Sequence, residues 1–200
     1  MKDPKIILQE AVQVLRDGGV ILYPTDTVWG IGCDATNPVA VRKVFEIKRR
    51  DDSKSLVLLA ANLDMVAKYV RQVPSMAVDL VEVNDSPMTI IYPEALVQQE
   101  GIPDRNRLAP ETVASDGSVG IRIPMMDFCR DLAFKLGRPL VSTSANLSGE
   151  KTPARFKEIS EEIRAAVDYV VAPPLEKTST GKASQIIKVG YGGEVEIIRK

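Results

Sequence analysis

Ser142-Thr143-Ser144-Ala145-Asn146 crowds hydroxyl and amide side chains directly behind the apolar pair Leu140-Val141, at what reads as the exit of a buried strand. In an extended chain side chains alternate, so Ser142, Ser144 and Asn146 would share one face and offer a row of donors and acceptors to a polar ligand. A turn or a helix N-cap uses the same residue types to satisfy its own backbone. Three of them on one face, beside a strand end, favour the ligand site. The chain contains no histidine, which excludes Ser-His-Asp and Cys-His activation and every His-ligated zinc site. A Ser-Lys pair is the nucleophilic arrangement that survives.

Two further groups could do polar chemistry. Lys48-Arg49-Arg50-Asp51-Asp52-Ser53-Lys54 closes a helical pattern, where basic residues are routine because they complement the helix dipole. The sharper expectation is a polyanion clamp, with Arg50 as a forked donor to phosphate and Lys48 and Lys54 as point charges. No Walker loop or dinucleotide glycine fingerprint is present to bind phosphates through backbone amides. Arg122 stands inside the apolar run Val119-Gly120-Ile121-Arg122-Ile123-Pro124. A guanidinium there needs an anionic partner, either a structural Asp or Glu or a ligand carboxylate held by both arms. Ser118, four residues earlier, shares that strand face. Asp26, between Thr25 and Thr27, suits a turn better than a metal.

The elements that must position these residues follow from periodicity. Asp3-Pro4 opens an amphipathic helix carrying Ile7, Ala11, Val14 and Leu15 and stopped at Gly18-Gly19, and Asn37-Pro38 opens a second carrying Val41, Val44, Phe45 and Lys48. Further helices are expected over 62–70, 74–83, 127–136 and 158–167. Strands are expected over 20–23, 56–59, 88–92, 119–123, from Leu140 into the serine cluster, and over 169–171, with a closing hairpin of 186–189 and 195–198. Residues 94–117, rich in Pro, Gly and charge, read as a long loop placed to move over a site. Residues 172–183 read as a linker within the domain. Strands joined by helices give an α/β class, one domain over residues 1–200, with a twisted mixed β-sheet flanked by helices.

With 200 residues and 44% hydrophobic content the chain can bury a sizeable core. Its formal charge of -1 and sparse aromatics give no global field for nucleic acid or a membrane surface. No charged-then-apolar leader and no apolar stretch of bilayer length are seen, so a cytoplasmic protein without membrane contact is expected. Cys33 and Cys129 lack metal spacing and read as reduced core thiols.

Residues 18–32, Lys48 to Lys54, Val119 to Pro124 and Pro139 to Gly149 together resemble, in order, the YrdC family, the threonylcarbamoyl-AMP synthases. The resemblance implies a YrdC-like fold with an open concave basic cleft. It implies a nucleotidyltransferase that makes threonylcarbamoyl-AMP and pyrophosphate from L-threonine, bicarbonate and ATP, with Mg2+ accompanying ATP. A separate transferase system downstream then modifies tRNA, with contact to tRNA or double-stranded RNA left open. Thr27, Arg122, Ser142 and Ser184 are implied to contact threonine. Lys48, Arg50, Lys54, Ser118, Ser144 and Asn146 are implied to contact the nucleotide. No residue is singled out as catalytic, and none as a metal ligand. Ser55, Asp85-Ser86-Pro87, Trp29 and Lys188 depart from the family's pattern, and the chain resembles the short form without an extra C-terminal domain. The rival functions are a Ser-Lys amidohydrolase and an RNA-binding module without catalysis.

Overall fold

A computed structural model describes residues 3–49, 56–99 and 101–200. Asp3 caps the first helix, α1 (Pro4–Arg16), by accepting from the Lys5 amide at 2.8 Å, and the proline follows at the first helical position, where its missing N–H costs nothing. Its apolar stripe, Ile7, Leu8, Ala11, Val12 and Leu15, is buried. Gly18, at φ 81°, supplies the left-handed turn that leads into strand β1 (Ile21–Tyr23). Strand β2 (Gly30–Gly32) follows, then α2 (Pro38–Lys48), whose N-cap Asn37 accepts from the amides of Val39 and Ala40. Beyond these come β3 (Val57–Leu59), α3 (Leu63–Ala67), α4 (Ser75–Val83) and β4 (Met88–Tyr92). The chain continues through β5 (Val119–Arg122), α5 (Asp127–Leu136), β6 (Leu140–Ser144), α6 (Glu161–Ala166), β7 (Tyr169–Val170), β8 (Gln185–Val189) and β9 (Val195–Arg199).

The strands form one mixed sheet of nine in the order β7-β1-β2-β6-β3-β5-β4-β8-β9. β1–β7, β3–β5 and β4–β8 run parallel and the other pairs antiparallel. Register divides the side chains between two faces. Leu58, Ile121 and Ile90 stand side by side on one face, where Val81 of α4 and Arg130 of α5 border the same crevice as Ile90 and Ile121. α5 in turn packs on α1, so the helical layer and most of the apolar core lie on this side. The opposite face carries Ser142, Ser144, Val57, Gly120 and Arg122, which border two cavities.

The mixed sheet flanked by helices matches the expected class. Three local expectations change. β2 was not anticipated, because Gly-Ile-Gly has no apolar run. The last helix starts at Glu161 rather than Glu158, since Ser160 caps it by accepting from the Ile163 amide. Residues 94–99 and 101–117 are anchored to the body of the domain at several points. The Ala95 amide donates to the Gly117 carbonyl, Leu96 to Tyr69 and Leu108 to Leu96, and Leu108 and Ala109 are fully buried. Hydrophobic anchoring and backbone pairing hold the segment against the body of the domain.

The buried phenols give a pH prediction. Burial pushes Tyr69 up to about 12, with Asp34 adding to it, and burial pushes Tyr23, Tyr92 and Tyr169 higher still. A group with a raised folded-state pKa leaves stability intact below its unfolded value of 10.0 and removes it as pH rises toward the folded value. Stability should therefore fall from about pH 10 upward. Tyrosinate absorbance of the native protein should titrate well above that of the guanidinium-unfolded chain. Coincident curves would contradict the burial of these rings.

Candidate functional site

The side chains of Thr27, Arg122, Ser142, Ser144 and Ser184 converge on one cavity of about 330 Å³ on the face opposite α4 and α5. Four chain segments deliver them. β6 stays extended through Ser144, so Ser142 and Ser144 do share a face. Asn146 lies past the strand end, where the Asn146 amide turns back onto the Ser144 carbonyl at 2.9 Å. It does not join the row. Its Nδ2 donates to the carbonyls of Leu147 and Glu150, and its Oδ1 is buried without a hydrogen-bond partner.

Arg122 is 4% exposed and its partner is Asp26, reached from Nη1 to Oδ1 at 2.5 Å. The structural carboxylate is therefore the one that satisfies it, and Asp26 is more than a turn residue. Its second oxygen accepts from the Met125 amide at 2.9 Å. Nη2 of Arg122 reaches Thr27 Oγ1 at 3.3 Å, and Thr27 Oγ1 lies 2.8 Å from Thr25 Oγ1. The pair fixes the cavity floor, because a buried ion pair braced by hydrogen bonds to Thr27 and the Met125 amide has few alternative geometries, and Arg122 keeps further N–H groups for a ligand.

The segment from Ser179 to Ser184 closes one side. Ser179 Oγ donates to the Thr25 carbonyl, and the amides of Thr180 and Gly181 donate to the carbonyls of Asp26 and Thr27 at 3.0 and 2.7 Å. Ser184 is held against Thr89, hydroxyl to hydroxyl, at 2.8 Å. Gly30 and Gly32 make room beside Ser142 and Tyr23: a Cβ on Gly30 would stand 3.3 Å from Ser142 Oγ. A Cβ on Gly32 would stand 2.3 Å from the Val141 carbonyl oxygen and 2.7 Å from Tyr23 Cε1, so the Tyr23 ring can lie across β2 only because Gly32 has no side chain. Tyr23 donates its hydroxyl to the Val141 carbonyl at 3.3 Å and borders Ser142.

Lys48 was expected to face phosphates. The structure puts it under the serine cluster instead, 2% exposed, with Nζ donating to the carbonyls of Ser144 and Asn146. The Ser148 amide returns a bond to the Lys48 carbonyl at 2.8 Å. Lys48 thus clamps the loop that follows β6 to the end of α2. Arg50 and Lys54 lie outside the described residues.

Ser118 borders a second cavity, about 430 Å³, that adjoins the first through the shared side chains of Val57 and Ile186. Its wall is largely apolar, with Leu56, Ile91 and Ile198, and its polar groups include Thr89, Ser115, Asp116 and Lys188. A larger cavity of about 700 Å³ lies between Asn37-Pro38 and the 101–111 segment and holds none of the expected site residues. Volume alone does not mark the site; convergent polar groups do.

Thr25, in the candidate stretch Pro24-Thr25-Asp26-Thr27 at a strand exit, also lines the first cavity; sequence reasoning missed Thr152 and Arg199, which line it too. Arg199 donates from Nε to the Ser184 carbonyl at 3.0 Å. No alternation marks it in sequence, because Ile197 and Ile198 are both apolar; only the pairing of β9 with β8 brings it to the cavity. Cys33 and Cys129 are free and buried, and burial pushes both thiols up, so neither is a nucleophile. Among the described residues no group of three or more His, Cys, Asp or Glu could hold a metal ion.

The sequence from residue 13 to residue 200 matches the Sua5/YciO/YrdC family model, whose description is "Telomere recombination". The chain is 37% identical over 169 residues to the threonylcarbamoyl-AMP synthase of Xanthomonas axonopodis pv. citri, covering 82% of this chain and 84% of that one. It is 32% identical over 167 residues to the threonylcarbamoyl-AMP synthase of Stenotrophomonas maltophilia, covering 84% and 86%. In fold it is similar to the crystal structure of P. abyssi Sua5 complexed with L-threonine, at a TM-score of 0.73 and 22% identity, covering 94% of this chain. It spans about half, 52%, of that longer Sua5 chain. With the family model matched over nearly its whole length, the chain belongs to the Sua5/YciO/YrdC family.

Proposed function

We propose that this protein is a threonylcarbamoyl-AMP synthase, a nucleotidyltransferase that uses L-threonine, bicarbonate and ATP. The observation that carries this reading is the meeting of Thr27, Arg122, Ser142 and Ser184 in one cavity with Ser144, beside a second cavity bordered by Ser118. The first seats the amino acid and the second the nucleoside, with the phosphates between them. In this reading Arg199, which borders the first cavity, adds a cation for the phosphates. Arg50 and Lys54 supply further charge to the phosphates in this reading, and Lys48 and Asn146 act through the loop they hold.

The chemistry suits a site without histidine. The threonine amine adds to the carbon of bicarbonate and, with loss of water, gives a carbamate. A carbamate oxygen then forms a bond to the α-phosphorus while the bond to the pyrophosphate oxygen breaks. No side-chain base has to be strong, because orientation and charge neutralisation supply most of the rate. Asp26 is committed to Arg122 and the Met125 amide, so the described residues do not fit a protein-held metal. Any magnesium would belong to the MgATP substrate and would supply charge neutralisation at the phosphates, with no ligand from the described residues. The adenylate is passed to a transferase system that acts on tRNA. A cytoplasmic location is part of the proposal, and no helix among the described residues is long and apolar enough to cross a membrane.

The rival Ser-Lys hydrolase is disfavoured by one observation: Lys48 meets Ser144 through the carbonyl oxygen, so that ammonium serves as a backbone donor. The deciding measurement is pyrophosphate release with ATP, bicarbonate and each amino acid in turn. Threonine should support turnover and the others little. Release that does not depend on threonine would refute the assignment.

A further inference from the structure

The cavity of about 700 Å³ between Asn37-Pro38 and the 101–111 segment shares no lining residue with the two cavities of the candidate site, and the synthase reading leaves it unused. Its inner polar groups have one character. Gln98 is 6% exposed, and its Nε2 is held between the carbonyls of Thr36, Asp104 and Arg107 at 2.7, 2.8 and 3.0 Å. Three carbonyls around that nitrogen fix the orientation of the amide, because the flipped form would set its oxygen against three acceptors. Oε1 is left for the cavity that Gln98 lines, with no donor from the described residues. Thr36, 4% exposed, gives its hydroxyl proton to Asp34 Oδ1 at 2.7 Å and keeps only lone pairs. Glu111 pairs with Arg42 through Oε1, and its Oε2 is buried without a hydrogen-bond partner. These three groups offer acceptors and no donor.

The exposed lining has the opposite sign. Arg16 commits one Nη to the Lys135 carbonyl, and the Arg105 guanidinium has no partner among the described residues. Val39 and Ile102, both more than half exposed, and Pro103 supply apolar surface. The first amides of α2, at the edge of the cavity, are already taken by Asn37 and bind nothing further. A buried acceptor without a donor is costly, and a polar inner wall under a cationic rim suits a molecule with complementary ends.

We propose that this cavity is a separate binding site for a small organic carboxylate that carries an N–H donor at its other end. The donor enters to Gln98 Oε1, the apolar body lies on Val39 and Ile102, and the carboxylate stays at Arg105, whose forked guanidinium matches it. The volume is that of a small-molecule site.

The test is equilibrium binding of para-aminobenzoate to the full chain, with benzoate, which lacks the donor, and aniline, which lacks the anion, as comparisons. Para-aminobenzoate should bind saturably with a Kd of about 1 mM or tighter, and at least about tenfold more tightly than either comparison. Arg105→Ala should abolish the advantage over aniline and keep the advantage over benzoate; the Arg105 carbonyl, which accepts from the Tyr69 hydroxyl, is untouched by the change. Val39→Trp and Ile102→Trp, at exposed positions, should each block the probe with the thermal midpoint unchanged. Saturating ATP and L-threonine should leave probe binding unmoved. Absence of saturable binding, equal binding of the three probes, or binding retained in both tryptophan variants overturns the proposal. Displacement by ATP or threonine overturns it as well, since the probe would then occupy the cavities around Ser142 and Ser118.

Discussion

Arg122→Ala is expected to lose about 3–5 kcal/mol of stability and nearly all threonine-dependent pyrophosphate release. The guanidinium and the Asp26 carboxylate are both buried, with side chains 4% and 6% exposed, and the mutation leaves Asp26 as an uncompensated charge. Asp26 still accepts from the Met125 amide, so the loss is large without being the full cost of a bare ion. Thr27 also loses a neighbour to its hydroxyl. Stability and activity can be separated by pairing Arg122→Met with Asp26→Asn. That double variant removes both charges, so its denaturant midpoint should recover most of the loss, while turnover should not return. A single variant within about 1 kcal/mol of the parent protein would show that the pair is not the anchor of the cavity floor.

Lys48→Met should reduce stability by on the order of 3 kcal/mol and turnover by about a hundredfold. Methionine fills similar space but has no donor for the Ser144 and Asn146 carbonyls, and hydrogen bonds from an ammonium are among the stronger ones. The loop after β6 would relax, and Ser144 with it. Small displacements of positioning groups are enough to cost two orders of magnitude in rate. Because Lys48 lines neither cavity, the affinity for threonine measured without nucleotide should change far less than turnover. If ATP affinity collapses while stability is untouched, Lys48 is a direct phosphate ligand and the clamp is secondary.

What could be read from the chain beforehand depended on whether the signal was local. Asp3-Pro4 and Asn37-Pro38 carry their caps within a few residues, and both helices start there. The apolar runs at Met88 and Leu140 became strands as expected, and the alternation through Ser142 and Ser144 held. β2 escaped notice because its glycines make sense only beside the Tyr23 ring and the Val141 carbonyl, contacts that arise after the sheet has formed. The same is true of Lys48. A basic last turn is ordinary in sequence, and nothing local says that its ammonium will point inward to carbonyls almost a hundred residues away. Asp26 was legible as a polar residue in a tight turn, but its charge partner is set by the placement of β5. The family resemblance brought Thr27, Arg122, Ser142 and Ser184 forward together, and the fold places these four around one cavity.

The order of the strands has a kinetic corollary. β8 enters beside β4, in parallel, and Thr89 meets Ser184 across 95 residues of chain. The second cavity is incomplete until the last hairpin has docked, since Ile186, Lys188 and Ile198 all arrive with it. Pairings so far apart in sequence close large loops before any contact rewards them, so maturation should take milliseconds to seconds rather than microseconds. Until that step the exposed edge of β4, with its run of Met-Thr-Ile-Ile-Tyr, is the surface most open to misassociation, and a chaperone that delays aggregation would raise the yield of competent protein more than any gain in helix strength.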